Sequence, residues 1–443
     1  MISDLIHSVA WLPVLIAGVI FVVCYGLIIS EKINRAVIAV TGGVVLILLG
    51  IVDLHMAYSH HIHWATIFLL LGMMILVGIA TKSGIIQFVA IKIAQSTQGD
   101  PIKILVRMAL LTAIGSAFID NVTMVLLIAP IMIAIAKTIK VKPTPFLITQ
   151  ILVSNIGGAA TLVGDPPNIM IGTASGLSFN DFLLHIAPII IVILAITILL
   201  LRFYYAKQLH ISKEDQEKLM EINAQDSISD PVLAIKSIVV FGITLLGFFI
   251  HQYLDIEPAT IALFGAALLL LLSAKTIAAE EVFKSVEWVT IFFFAGLFVL
   301  VGGLVDVGII EQLAIWMLQI TGGDVGLTSV TLLWGSGIIS GLVDNIPLVA
   351  TLIPMVQDMI NVSGLSSLDA RTLWWALALG ACLGGNGTLI ASSANLIVAQ
   401  IADREGTPIS FVQFLKVSIP VTLLTLVFAT VYVVVVFVFA GFA

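Results

Sequence analysis

Three aspartates lie inside long apolar stretches of the sequence: Asp120, Asp165 and Asp344. An ionised aspartate at the centre of a bilayer costs roughly 2.5–3.5 kcal/mol on insertion scales, so membrane proteins usually keep one for a function. Each carboxylate can bind a cation or exchange a proton. Asp120 and Asp344 each precede an asparagine, which also allows the simpler interpretation that the pair only caps the helix that follows.

A second set of polar residues lies in two glycine-rich stretches, 157–168 (GGAATLVGDPPN) and 384–395 (GGNGTLIASSAN). Glycine permits close backbone approach and proline removes amide donors, so each stretch predicts an unwound part of a membrane crossing that faces the Asp-Asn pair of its own half. Unwound backbone at this depth must line a cavity or meet protein partners, and its carbonyl groups can bind cations. The side chains that add hydroxyl or amide oxygens are Thr161, Asn168, Asn386, Thr388 and Asn395. Hydrogen bonding between helices is the alternative role for them.

The two sets belong to an internal repeat. Residues 64–121 recur without a gap at 288–345, so that Asp344-Asn345 matches Asp120-Asn121. The glycine-rich stretches match at a slightly larger spacing. Two copies of one membrane unit, each with an Asp-Asn pair, predict a transporter with two mirrored halves. Asp165 is matched by Ser392, and this asymmetry suggests different ions at the two sites, or a proton at one.

The elements that must position these residues are membrane helices. The chain has 443 residues, of which 60% are hydrophobic and 10% charged, against about 25% charged in soluble proteins. Its two cysteines, Cys24 and Cys382, predict neither a disulfide framework nor a thiolate metal site. The predicted spans are 11–29, 34–52, 64–81, 144–175, 182–201, 234–252, 258–273, 288–303, 372–402 and 412–440. The segments 102–138 and 327–362 are longer, and the short segments 84–96 and 308–320 are predicted to be interfacial arms.

Segment 102–138 is too long for one span and is interrupted at Asp120-Asn121, so it predicts a re-entrant helical hairpin, with 327–362 as its counterpart. A hairpin makes no net crossing, so each half crosses the membrane five times and the second half is inverted. An N-terminus outside the cell then places every basic residue except Arg371 in the cytoplasm. The first hairpin opens to the cytoplasm and the second to the outside. The predicted units are a first inverted repeat at 1–201, a cytoplasmic linker at 202–232 and a second inverted repeat at 233–443.

A channel and an intramembrane enzyme are the rival classes. Hairpins that open to opposite sides suit alternating access better than an open pore. The sequence has no His-Glu-x-x-His or Gly-x-Ser-Gly motif, and the repeated aspartates lie on opposite-facing hairpins, so we predict no enzyme. The loop 53–63 holds four of the eight histidines; a solvated outer loop and a metal or pH-sensing role are the two interpretations.

Four long motifs carry a family resemblance: FIDNVTMVLLIAP (118–130), SNIGGAATLVGDPPN (154–168), GLVDNIPLVATLIP (341–354) and GACLGGNGTLIASSAN (380–395). They resemble the ion transporter superfamily and, within it, the arsenite permease and sodium–proton antiporter group, especially the melanosomal P protein type. The resemblance implies a homodimer in which a scaffold domain forms the interface and a transport domain moves like an elevator.

The resemblance also implies one cation beside each hairpin tip. By motif, the first site uses Asp120, Asn121, Thr123, Gly157 and Thr161, and the second uses Asp344, Asn345, Gly384, Asn386 and Thr388. Sodium is expected at Asp120, Asn121 and Thr161, and at Asp344, Asn345 and Thr388. Dicarboxylate carriers of this fold have Ser-Asn-Thr at the tips, whereas this chain has Asp-Asn, and a fixed negative charge disfavours a dianionic substrate.

We therefore expect a secondary active transporter in the inner (plasma) membrane that moves a small inorganic ion or oxyanion, coupled to H⁺ or Na⁺. Arsenite or antimonite efflux is the named example, because arsenite is largely neutral near pH 7. The alternatives are a Na⁺/H⁺ antiporter and a cation-coupled citrate or dicarboxylate carrier. No cofactor is expected apart from the coupling ion, and the expected partners are the solute, the lipid bilayer and a second copy of the chain, with no nucleic acid.

Overall fold

The computed structural model describes residues 11–30, 32–209 and 219–442, and these residues form helices joined by turns, with no strand among them. The helices of the first half are α1 (Leu12–Ser30), α2 (Arg35–Leu48), α3 (Trp64–Lys82), α4 (Ile85–Gln95), α5 (Pro101–Phe118), α6 (Asn121–Thr138), α7 (Thr144–Gly158), α8 (Pro166–Ser175), α9 (Phe179–His185) and α10 (Ala187–Ala206). Those of the second half are α11 (Pro231–Leu254), α12 (Pro258–Ser273), α13 (Trp288–Asp306), α14 (Ile309–Thr321), α15 (Val325–Ser340), α16 (Asn345–Ser363), α17 (Ser367–Gly384), α18 (Ser393–Arg404) and α19 (Phe411–Tyr432, continued as a π-helix at Val433–Phe439). Within the described ranges nine helices are long and apolar enough to cross a membrane, which confirms the predicted all-α polytopic fold.

Both long segments are broken at their Asp-Asn pairs, as predicted. The chain turns between α5 and α6 at Asp120, and between α15 and α16 at Asp344. Each aspartate occupies the N-cap of the second arm, where a side-chain oxygen can satisfy a backbone N–H that has no partner within the helix. The sequence thus encodes the break by placing a cap inside an apolar run.

Both predicted unwound segments are also present, but they begin later than the glycines suggested. Gly157 and Gly384 are the penultimate and last residues of α7 and α17, and the unwound parts are 159–165 and 385–392. These glycines serve helix packing, because a methyl group on Gly157 would overlap the carbonyl oxygen of Ala113 on α5, and one on Gly384 that of Gly337 on α15. The missing side chains therefore let each hairpin arm lie directly on its broken helix.

The predicted linker 202–232 is shorter than expected, because α10 continues to Ala206 and α11 begins at Pro231. Residues 210–218 of this linker lie outside the described residues. Its later part is bound to α4, since the Gln95 side chain donates hydrogen bonds to the carbonyl oxygens of Leu219 and Ile222.

The helices pack in two groups. Helices α1, α2, α3, α11, α12 and α13 pack on one another and are called the flanking bundle, whereas α5–α8 and α15–α18 form the hairpin bundle, with α10 and α19 beside α7 and α17. The groups meet where α8 contacts α3 and where α16 contacts α13. All three intramembrane aspartates belong to the hairpin bundle, so the candidate site is built there.

Candidate ion-binding site

Each hairpin tip uses one carboxylate oxygen as a helix cap. Asp120 Oδ1 accepts a hydrogen bond of 2.9 Å from the backbone N–H of Thr123, and Asp344 Oδ1 accepts one of 3.0 Å from that of Ile346. Each aspartate therefore does cap the helix that follows it. Because a carboxylate has two oxygens, capping leaves Oδ2 of each aspartate for another ligand.

Each tip is also bonded to the unwound segment of its own half, as predicted. The backbone N–H of Asn121 donates to the carbonyl oxygen of Gly164 at 3.1 Å, and that of Asn345 donates to Ala391 at 3.2 Å. These bonds place the two carboxylates beside non-helical backbone, the arrangement that binds ions inside membrane proteins.

Two asparagines hold the unwound segments in shape. The Asn168 amide donates to the carbonyl oxygen of Thr161 at 2.9 Å, and the Asn395 amide donates to that of Thr388 at 2.8 Å. The two threonine hydroxyls differ: that of Thr161 donates to Ala117, whereas that of Thr388 is buried without a hydrogen-bond partner among the described residues.

The halves are joined by a buried amide cluster centred on Asn155 of α7. Its Nδ2 lies 2.9 Å from Oδ1 of Asn386 and 2.9 Å from Oδ1 of Asn395, and its Oδ1 accepts a 3.0 Å bond from Asn121. The Asn121 oxygen is itself buried with no hydrogen-bond partner in the described chain. An unsatisfied buried acceptor next to a carboxylate is a group that a bound cation would satisfy.

Asp165 reaches across to the second half. It is 1% exposed, and its Oδ2 lies 3.4 Å from Nδ2 of Asn345, the second hairpin tip. Cys382 of α17 lies beside it and donates through sulfur to Asn168 at 3.4 Å. Asp165 interacts electrostatically with both Asp120 and Asp344, so the three carboxylates belong to one charged centre.

One basic side chain enters this centre from the flanking bundle. Arg35, the first residue of α2, donates from Nη1 to Oδ2 of Asp344 at 3.0 Å, and Ser393 donates to the same oxygen at 2.7 Å. The side chains of Arg35 and Asp344 are 25% and 14% exposed. The pair is partly shielded from water. The attraction between opposite charges is stronger in such a place than at a fully exposed surface.

The structure brings the predicted site residues together around the two tips and the two unwound segments. Their binding roles stay predictions, and Gly157 and Gly384 have packing contacts that explain their presence without a ligand. The residues placed in this region are Asp120, Asn121, Thr123, Gly157, Thr161, Asp165, Asn168, Asp344, Asn345, Gly384, Asn386, Thr388 and Asn395.

The sequence prediction missed Asn155, Ser393 and Arg35. Asn155 is matched in the repeat by Cys382, so the repeat does not mark Asn155 as a site residue. Its amide in an apolar run, just before the Gly157-Gly158 pair, is a signal that could have identified it. Arg35 was read only as a cytoplasmic charge. No local pattern distinguishes a basic residue that marks the cytoplasmic side from one that pairs with an acid far along the chain.

The histidine-containing loop 53–63 lies apart from this centre and packs on α13. His61 Nε2 lies 3.0 Å from Asp306, the last residue of α13, and the His63 ring meets Phe298 edge-on at 4.9 Å between centroids. Burial, followed by the neighbouring His61, lowers the pKa of His63. Among the described residues no group of three His, Cys, Asp or Glu side chains is arranged to hold a metal ion.

The sequence of this chain matches one known protein family. The model of a family described as citrate transporters (CitMHS) matches residues 25–380. The chain belongs to the citrate transporter family. It is therefore a secondary transporter and not an enzyme, as the sequence predicted.

Similar proteins align with this member of the citrate transporter family over nearly its whole length. An uncharacterized transporter of Mycobacterium tuberculosis is 40% identical over 94% of this chain and 97% of its own. The P protein of Homo sapiens is 31% identical, and the match covers 97% of this chain and 60% of that protein. The predicted similarity to the P protein type is thereby confirmed.

A solved structure supports the fold. The crystal structure of the Alcanivorax borkumensis YdaH transporter aligns with a TM-score of 0.56 over 97% of this chain and 98% of that chain, at 15% sequence identity. At this identity the match concerns the fold alone. It agrees with the all-helical fold of this chain.

Proposed function

We propose that this transporter couples the movement of a small inorganic species, with undissociated arsenite as the named example, to H⁺ or Na⁺ bound at the hairpin tips. The observation that carries the proposal is the charge of the centre. Asp165 interacts electrostatically with Asp120 and Asp344, and of these three carboxylates only that of Asp344 pairs with a basic side chain among the described residues. Buried carboxylates without a counter-charge favour uptake of a cation or a proton.

The first cation site in this proposal is formed by Asp120, Asn121 and Thr161, because the bond from the Thr123 N–H uses only Oδ1 of Asp120 and the Asn121 amide oxygen has no hydrogen-bond partner among the described residues. Asp344, Asn345 and Thr388 form the second, and the Thr388 hydroxyl has no hydrogen-bond partner within the described ranges. Carboxylate, amide and hydroxyl oxygens are ligands suited to a hard cation such as Na⁺.

Alternating access is proposed to move the hairpin bundle against the flanking bundle, in a homodimer with its N-terminus outside the plasma membrane. Arg35 begins α2 on the predicted cytoplasmic side, and the second tip lies against it. With the predicted orientation, we propose that this tip lies in the cytoplasmic half of the membrane and that a sliding movement carries it outward. In this mechanism the two mirrored units are the repeats 1–201 and 233–443, and the linker 202–232 joins them.

Cation-coupled citrate transport is the second candidate, because the family model carries that description. The carboxylates that surround the centre would repel a di- or trianionic substrate unless cations bound first. A Na⁺/H⁺ antiporter would use the same aspartates to bind one ion or the other. The three functions differ in which solute the purified protein recognises.

Thermal unfolding of the purified full-length chain provides the first test. A bound ligand stabilises the folded state by RT ln(1 + [L]/Kd), so we expect Na⁺ or acid to raise the unfolding midpoint, and arsenite to raise it further. Citrate or sulfate stabilisation in place of arsenite would reject the arsenite proposal in favour of an anion carrier. A midpoint that responds to neither Na⁺ nor pH would reject cation coupling.

Transport in proteoliposomes provides the second test. Arsenite loaded on one side should exchange with labelled arsenite on the other, and a Na⁺ or pH gradient should drive accumulation. A channel gives no counterflow, so flux without exchange would contradict a carrier. The Asp120→Asn protein, reconstituted in parallel, is the inactive control.

A further inference from the structure

We propose that Arg35 is a built-in cation of the second hairpin tip, so that in the described conformation the coupling cation binds at the first tip alone. This inference rests on the proposed function, because it assumes that the tips take up a coupling cation. It adds a residue from the flanking bundle that determines how many cations the hairpin bundle holds.

The tips are alike in backbone geometry but unlike in charge. Oδ2 of Asp344, the oxygen that does not cap the helix, accepts hydrogen bonds from Arg35 and Ser393. Among the described residues Asp120 has no basic partner, and a charged group that interacts with it from the flanking bundle is Glu287, which has the same sign. The repeat explains the difference: Ala259 is the residue that matches Arg35 at the repeat spacing.

Arg35 is held by its own bundle. Its Nη2 lies 3.5 Å from the Thr290 hydroxyl of α13, and its guanidinium lies 4.8 Å from the centre of the Phe293 ring. The Thr290 hydroxyl in turn donates to Glu287 at 3.0 Å. The guanidinium is thus fixed to α2 and α13, while its acceptor Asp344 belongs to the hairpin bundle, so the ion pair crosses the boundary between the two groups.

Two consequences follow from that position. A cation and the Arg35 guanidinium compete for Oδ2 of Asp344, because this oxygen already accepts from Arg35 and Ser393 and a carboxylate oxygen has about two acceptor positions. Any movement of the hairpin bundle along the flanking bundle must also separate the pair, and Asp344 then becomes free to accept a cation or a proton. The number of cations bound would therefore change with conformation.

The first experiment compares the cation response of Asp120→Asn and Asp344→Asn, each made in the full-length chain with Arg35 unchanged. The midpoint of thermal unfolding is measured in titrations of NaCl against choline chloride at constant ionic strength and pH, and in a separate titration of pH. Asp344→Asn should keep the cation response of the parent protein, whereas Asp120→Asn should lose it. The groups that interact with Asp344 are Arg35, Tyr25 and Asp165, and acid titrates the other carboxylates as well, so the NaCl series carries more weight where both respond.

The second experiment removes the built-in cation. Arg35→Gln should add about one bound cation to the dependence of stability on NaCl or acid, and Arg35→Gln combined with Asp344→Asn should return it to the parent level. Arg371→Gln is the matched control, because it removes an arginine that pairs at 3.7 Å with Asp181, outside the site. This control should leave the cation response unchanged.

The outcomes separate the two proposals. No cation response in the parent chain would overturn the proposed function and this inference together. A parent response that Asp344→Asn abolishes as fully as Asp120→Asn would overturn the role of Arg35 alone, as would an Arg35→Gln protein with no added response. If Arg35→Gln does not fold, the comparison of the two aspartate variants decides by itself.

Discussion

The two hairpin tips have a similar local structure and different surroundings. At each one an aspartate caps the second arm, and the following asparagine bonds to the unwound segment of the same half. Beyond this shared core, Asp344 meets an arginine from the flanking bundle, and Asp120 does not. The two repeats therefore share the bonds within each tip, whereas the partners that come from the flanking bundle differ.

This difference has a functional meaning. If both tips were equivalent, the protein would hold two like ions and would be electrically symmetrical. With Arg35 at one tip only, the second site already holds a positive charge in the described conformation. The repeat therefore predicts two candidate ion sites, whereas the contacts show that an arginine already pairs with the carboxylate of one of them.

The largest effect is expected from removing the carboxylates. Asp120→Asn and Asp344→Asn should each abolish coupled transport in proteoliposomes, because each tip must change its charge state during the cycle. Asparagine caps helices as well as aspartate does, so both proteins should fold and purify normally.

Asp100→Asn is the control for these two variants. Asp100 caps α5 by accepting from the backbone N–H of Ile102 and Lys103, but it lies away from the tips. It should transport at close to the parent rate. Substantial coupled transport by either tip variant would show that the tip carboxylate is only a cap.

The next largest effect is expected at the junction of the halves. Asn155→Ala leaves polar groups of Asn121, Asn386 and Asn395 unsatisfied, at a cost of about 1–3 kcal/mol for each buried group that finds no water. Thermal unfolding should shift clearly downward. Its repeat mate gives the control, because Cys382→Ala removes one weak sulfur donor to Asn168 and should shift the midpoint far less. Equal losses would mean that the amide cluster adds nothing specific to the first half.

These residues also mark how far sequence reasoning could go. The helix breaks at Asp120 and Asp344 were predictable because a capping pair in an apolar run is a local signal, and the repeat supplied it twice. Asn155 and Arg35 were not, since Asn386 lies 231 residues from Asn155 and Asp344 lies 309 residues from Arg35 in the sequence. Their repeat mates, Cys382 and Ala259, carry neither an amide nor a charge. The onset of unwinding was misplaced because a glycine that breaks a helix and one that admits a neighbouring backbone look the same in sequence.

A third prediction tests that last distinction. Gly157→Ala and Gly384→Ala should each destabilise the protein by about 1–3 kcal/mol through overpacking, because the added methyl group meets the backbone of the facing hairpin arm. Gly335 of α15 is the matched control, since a methyl group there meets no atom within 4 Å. Gly335→Ala should be neutral or slightly stabilising, because alanine favours helices over glycine by about 1 kcal/mol. A larger loss at Gly335 than at Gly157 would contradict the packing role.

The smallest effect is expected at the outer loop, where the repeat places His63 at the position that Glu287 holds beside Arg35. Burial and the nearby His61 lower the pKa of His63, so the folded state prefers its neutral ring. The contribution of His63 to stability should therefore fall as the pH drops below the ordinary histidine value of about 6.5, because the unfolded chain accepts this proton more readily. This effect is opposite in sign to the stabilisation expected from protons bound at the hairpin tips. His63→Gln should flatten this part of the pH profile of thermal unfolding, whereas His60→Gln, at an exposed position of the same loop, should not. An unchanged profile for His63→Gln would show that the loop does not respond to acid through this ring.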